Sequence, residues 1–239
     1  MTNRIVDTSQ RKAARVAGFG YLIIAILAIF ANFFVLESLI VPGDAATTAD
    51  NILASDGLFR AGIASLVVVV VLDVVVALAL YILLKPVNTS LALLAAGFRL
   101  VFAAIFGVAL VNLVLASELL GGADYLAVFE PDQLHSRVMF FINAFNYGWL
   151  IGLVFFGVHL CLLGYLIIKS GSIPRVLGVL LIVASLGYLI DSFANVLLSN
   201  YADYETAFLV IVAVPAVIAE LAFTFWLLFT GVDVQTQDS

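Results

Sequence analysis

Six long apolar stretches constrain what this chain can fold into: residues 14–40, 60–84, 89–117, 133–168, 174–198 and 206–231. In helical form about 20 apolar residues cross about 30 Å of hydrocarbon, so each stretch is long enough to span a membrane. Lipid offers backbone N–H and C=O groups no partner, which leaves helices and closed barrels as the only spanning structures. The stretches are unbroken and of helical length, without the alternation of barrel strands. They predict an all-α polytopic membrane protein, a bundle of six transmembrane helices. Composition agrees: 64% of the residues are hydrophobic and 11% charged, against about 45–50% and about 25% in soluble domains.

Charge in the connections sets an expected orientation. Arg4, Arg11, Lys12 and Arg15 precede the first span, Lys85 lies between the second and third, and Lys169 and Arg175 flank the turn between the fourth and fifth. The other three connections hold Asp44, Asp50, Asp56, Glu118, Asp124, Glu130, Asp132, Asp203 and Glu205, with Arg60 and Arg137 as their bases. By the positive-inside rule both termini are cytoplasmic. The expected organisation is a basic segment over 1–13, one six-helix domain over 14–231 and a cytoplasmic tail over 232–239. The first apolar run is too long for a signal peptide and shows no small-residue cleavage site, so it reads as an uncleaved span. Between spans 1 and 2 the segment VPGDAATTADNILASDGLFR predicts a short amphipathic helix, with Ala49, Ile52 and Leu53 on one face and Thr48 or Asp50 as cap. Pro131 suits a first helical position, and the helix it opens is long enough to tilt or project from the bilayer.

Within LVVVVVLDVVVALAL, residues 66–80, Asp73 is the one polar side chain. A charge at the bilayer centre costs about 2.5–3.5 kcal/mol on insertion scales and is tolerated when paired or wetted. Counted from the cytoplasmic helix ends at about 1.5 Å per residue, Asp73 and Arg99 differ in depth by roughly 3 Å. His159 and Glu220 fall near the same level, and Asp191 lies one to two turns farther out. These five are the candidate ligand-binding or proton-coupling residues, with Arg99 expected to bridge at least one carboxylate because its planar fork stays charged and binds bidentately. The alternative is a structural ion pair that fixes helix register. For His159 the alternative is a neutral ring bonded to a carbonyl. Ala95, Ala96 and Ala103 flank Arg99 at helical spacing and permit close helix approach. Gly187, Tyr188 and Asn195 share a face with Asp191, while Pro215 and Thr224 accompany Glu220.

The remaining intramembrane polarity is lopsided. Asn32, Glu37, Asn112, Asn143, Asn146, Tyr147 and Asn195 all fall in the outer halves of their spans. An outward-facing polar pocket follows, floored by the ionic cluster, with Asn112, Asn143, Asn146, Tyr188 and Asn195 as secondary lining candidates. A net charge of −6 argues against nucleic acid, whose binding needs a basic face. The lone Cys161 excludes an intramolecular disulfide, and the two histidines, His135 and His159, do not make a metal centre. No phosphate-binding loop, dinucleotide fingerprint or nucleophile constellation is present, so no cofactor is expected and a non-enzymatic reading is favoured. Membrane lipids are the expected surroundings, with a small molecule or lipid as ligand. A homo-oligomer is compatible with the sequence but not indicated by it.

At SLIVPGDAATTADNILASDGLFRAGI, YILLKPVNTSLALLAAGFRL, GLVFFGVHLCLLGYLIIKSGSIPRVLGVLL and LGYLIDSFANVLL the chain resembles a bacterial membrane family, domain of unknown function 4386. The likeness extends over about residues 11–231. It implies a multi-pass protein of a bacterial inner membrane and carries no catalytic assignment. Three functions fit such a chain: small-molecule binding or transport, an intramembrane enzyme using Asp191 or Glu220 with His159 as acid and base, and a structural or sensory subunit.

Overall fold

The computed structural model of the protein describes residues 8–122 and 124–230. Arg4 and the expected tail over 232–239 lie outside the described residues. Helix α1 (Thr8–Ile29) continues without a break into a π-helical segment, Phe30–Leu36, and a last turn, α2 (Glu37–Leu39). There follow α3 (Ala45–Ala54), α4 (Asp56–Leu84), α5 (Thr89–Leu120), α6 (Pro131–Ser170), α7 (Arg175–Leu197) and α8 (Glu205–Phe225), the last leading into π-helical Trp226–Thr230. Short 3₁₀ turns occupy Asp124–Leu126 and Tyr201–Asp203. Among the described residues the fold is all-α, and six helices are long and apolar enough to cross a membrane: Ser9–Leu39, Asp56–Leu84, Thr89–Leu120, Pro131–Ser170, Arg175–Leu197 and Thr206–Phe229. The first helix starts earlier than its apolar run, so Arg11, Lys12 and Arg15 lie exposed on its opening turns.

Helix ends follow their local chemistry. Asn88 caps α5 by accepting the Leu91 N–H at 2.9 Å. Pro131 opens α6, and the Gln133 side chain accepts the Glu130 N–H at 3.3 Å, one arm of a capping box. The amphipathic helix is present as α3, with two corrections. Its cap is Asp44, whose carboxylate accepts the Thr47 N–H at 3.0 Å and the Thr47 hydroxyl at 2.7 Å. Thr48 faces inward instead: its hydroxyl accepts the Val41 N–H at 2.9 Å and donates to the Val41 carbonyl at 3.2 Å. Ala49 and Ile52 are buried as expected, but Leu53 is 51% exposed, because the buried face runs through Thr48, Ala49 and Ile52.

The chain divides into two compact units, with divisions falling inside α1, α4, α5 and α6. The first comprises the described residues up to Leu22, Leu72–Phe102 and those from Gly152 on, so all six long helices contribute to it. Here α6 and α7 cross at Gly164 and Gly178: a Cβ built on either glycine would lie 2.5 Å from the other's carbonyl oxygen. No other residue permits that approach. Helices α7 and α8 meet at Gly187, where a Cβ would lie 3.0 Å from the Ile211 carbonyl oxygen. That carbonyl is the one Pro215 leaves without its helical donor, and α8 runs on through the proline.

The second unit comprises Ile23–Val71 and Ala103–Ile151. It holds the π-helical segment, α2, α3, the first part of α4, the last part of α5 and the first part of α6. Asn51 ties α3 to the end of α2 by donating to the Leu39 carbonyl at 3.2 Å. In the π-helical segment the Glu37 N–H bonds the Asn32 carbonyl, and the Asn32 side chain donates to the Ala28 carbonyl at 2.9 Å. Both bonds satisfy backbone groups that the wider winding displaces.

Candidate functional site

In the first unit Arg99 is 1% exposed and Asp73 2%. Arg99 Nη2 donates to Asp73 Oδ1 at 2.5 Å, the expected buried salt bridge. Arg99 Nη1 donates to the Tyr21 hydroxyl oxygen at 2.6 Å and lies 3.4 Å from His159 Nε2. His159 Nδ1 bonds the Ala95 carbonyl at 2.8 Å. A carbonyl only accepts, so Nδ1 carries the proton and Nε2 turns its lone pair to the guanidinium. His159 is thus a neutral ring held by a carbonyl, one of its two sequence readings. Small Ala95 and Ala96, both buried, let α6 close on α5 for that bond.

Aromatic rings cover the guanidinium. Its central carbon lies 4.6 Å from the Tyr21 ring centroid and 5.4 Å from that of Phe156, distances at which a cation is attracted to a ring face. Phe156 packs edge-on against Tyr188, whose hydroxyl donates to Glu220 Oε1 at 2.9 Å. Glu220 is partly exposed, and the Phe156 ring, in contact with both Arg99 and Tyr188, joins it to the guanidinium's surroundings. Tyr21, Asp73, Arg99, His159, Tyr188 and Glu220 therefore bring one polar side chain from each of the six long helices into one network. Thr224 is not part of it; its hydroxyl returns to the Glu220 carbonyl at 2.6 Å. Asp191 is bonded instead to the Tyr201 hydroxyl at 2.6 Å, and Asn195 is half-buried on the same helix. Arg99 Nε has no hydrogen-bond partner among the described residues. The network is a fixed positive centre with its partners on separate helices.

The second unit holds a cavity of about 280 Å³. Asn32, Leu36 and Glu37 line it from the end of the first long helix, Leu66 from α4, Phe106 from α5, and Phe145, Asn146 and Trp149 from α6. Trp149 meets Phe106 edge-on at 4.5 Å between centroids, and Phe106 lies 6.3 Å from Phe145. None of Asp73, Arg99, His159, Asp191 or Glu220 lines this cavity, so the expected ionic floor is absent from it, and Tyr188 and Asn195 do not line it either. Of the outer polar residues, Asn32, Glu37 and Asn146 come together here. Asn143 is exposed and off the cavity, while Asn112 borders a separate shallow groove with Val108, Ala109 and Gly148 and donates to the Ala109 carbonyl at 3.1 Å. Among the described residues no three of His, Cys, Asp and Glu gather as a metal site.

Sequence reasoning missed Tyr21, Phe156 and the aromatic wall of the cavity. Tyr21 carried a signal: Ala14, Ala17 and Tyr21 fall three and four residues apart and are all buried, a small-residue face ending in a hydroxyl. Phe156, Phe106 and Trp149 carried none, because rings in an apolar run look alike whether they face lipid or protein.

The family model with the description Domain of unknown function (DUF4386) matches residues 16–231. An uncharacterized protein of Archaeoglobus fulgidus is 35% identical over 169 residues, covering 71% of this chain and 83% of that protein. No solved structure matches.

Proposed function

The chain belongs to the family Domain of unknown function (DUF4386), and for it we propose a multi-pass protein of small-molecule binding or transport type. Its place is the inner membrane of a bacterial cell, with both termini cytoplasmic and the cavity of the second unit open to the extracytoplasmic side. Asp73, Arg99, His159 and Glu220 form the ionic core that couples to the ligand through a change in carboxylate protonation. The observation that carries this reading is the cavity: three polar side chains, Asn32, Glu37 and Asn146, meet aromatic rings in one concave space. Small-molecule sites have that make-up, mostly apolar with a few placed polar groups.

An enzyme is the weaker reading. General acid–base work needs a proton site within reach of substrate. His159 has Nδ1 on a carbonyl and Nε2 toward a guanidinium, and Glu220 and Asp191 each accept from a tyrosine.

Accessibility tests the site. In a Cys161→Ser background, Asn32→Cys and Asn146→Cys should react with a membrane-impermeant maleimide in intact cells. Reaction only after permeabilisation overturns the outward-facing cavity. For the coupling core, flux or binding left unchanged by Glu220→Gln together with Asp73→Asn removes both residues from the mechanism.

A further inference from the structure

We propose that the cavity of the second unit takes a compact organic cation, an ammonium group on an apolar body. The inference rests on the binding reading above and narrows it to a ligand class. Its basis is the balance of charge and rings around the space. Among the described residues Glu37 is the one formally charged lining residue, and no Lys, Arg or His lines the cavity. Glu37 is exposed rather than folded into an ion pair, and the only ion pairs among the described residues are Arg60 with Asp56 and Glu118, and Arg99 with Asp73.

Each ligand class meets a different environment here. An anion would face the Glu37 carboxylate with no basic lining side chain to offset it, and like charges repel. A neutral ligand would leave the carboxylate without a counter-charge. An ammonium group offsets the carboxylate, has donors for the side-chain oxygens of Asn32 and Asn146, and enters a space lined by the rings of Trp149, Phe106 and Phe145. The apolar remainder, Leu36, Ile40 and Leu66, suits a hydrocarbon body. A volume of about 280 Å³ limits that body to a small one.

The π-helical segment Phe30–Leu36 is a second, independent pointer. Single π turns inside α-helices gather at functional sites. This one places Asn32 and Leu36 on the cavity and ends directly before Glu37.

The sequence supplies its own reporter, since Trp149 and Trp226 are the two tryptophans. The full-length Trp226→Phe protein in lipid nanodiscs leaves Trp149 as the emitter, and three ligands of one shape that do not absorb in its range serve as probes. Cyclohexylmethylammonium should give a saturable change in emission, at least roughly tenfold tighter than cyclohexylmethanol, with cyclohexanecarboxylate giving none. Glu37→Gln should weaken the ammonium roughly tenfold and leave the alcohol unchanged. Equal saturable binding of all three probes, or ammonium binding indifferent to Glu37→Gln, overturns the cation class and leaves the binding cavity standing. Absence of saturable change with every probe overturns both.

Discussion

Arg99 shows how a full charge is kept in a membrane interior. Asp73, Tyr21 and His159, each on a different helix, meet its two terminal nitrogens, and two rings cover its faces. Removing one partner of such a pair strands the other charge, which costs about 3–5 kcal/mol, whereas replacing both with apolar residues is often neutral. Asp73→Ala should therefore lower the unfolding free energy in detergent by about 3–5 kcal/mol, and Asp73→Leu with Arg99→Leu should restore most of it. If the double variant also keeps its binding activity, the pair is structural and the coupling role falls. Tyr21→Phe removes one acceptor from the guanidinium and should cost about 1.5–3 kcal/mol in the same measurement. At this scale the sequence was partly legible. A carboxylate and a guanidinium at one depth in oil demand each other, so the pairing of Asp73 with Arg99 is readable in the sequence. Glu220 could be placed near them but not given its Tyr188 bond, because which hydroxyl turns inward depends on helix rotation, and an apolar run of every phase does not report rotation.

At the scale of elements, close crossings rest on glycines whose missing Cβ is required. Gly178→Ala would drive a methyl to 2.5 Å from the Gly164 carbonyl oxygen, and should lower stability by about 1–3 kcal/mol, the usual cost of overpacking. Gly97, in the middle of α5, has open space where its Cβ would sit. Gly97→Ala should instead raise stability by about 0.5–1 kcal/mol through helix propensity, so opposite signs for the two variants check the crossing. Asp44 brings pH dependence to α3. Bonds from the Thr47 backbone and side chain hold its carboxyl below the ordinary value of 3.8. With the folded value depressed, the cap contributes in full above the unfolded value and is lost as pH falls through the folded one. The Thr47 amide resonance should shift in the acid range below pH 3.8, and Asp44→Asn, which still caps, should abolish the shift. Helix number and most helix ends were readable from apolar length, prolines and caps. The π-helical winding at FANFFVL was not, because its composition is that of any apolar helix and the extra residue per turn leaves no mark in one sequence.

For the whole molecule, the six spans followed from the solvent: a chain this apolar must close its backbone bonds within helices once lipid surrounds it. The orientation rests on lysine and arginine placement alone. In the Cys161→Ser background, Gly43→Cys should react with impermeant maleimide in intact cells and Asn88→Cys only after permeabilisation; the reverse pattern would invert the protein in its membrane. The aromatic cavity was the least legible feature, since it depends on four distant segments agreeing on one side. The wide turn at Phe30–Leu36 gives that agreement a mechanical meaning. Rewound as an ordinary α-helix with every residue kept, the segment would advance everything beyond it by about 100°. Glu37 and Leu36 would then swing off their wall while Tyr21, upstream, kept its grip on the guanidinium. The slack loop of winding thus chooses which side chains the helix end shows to the cavity.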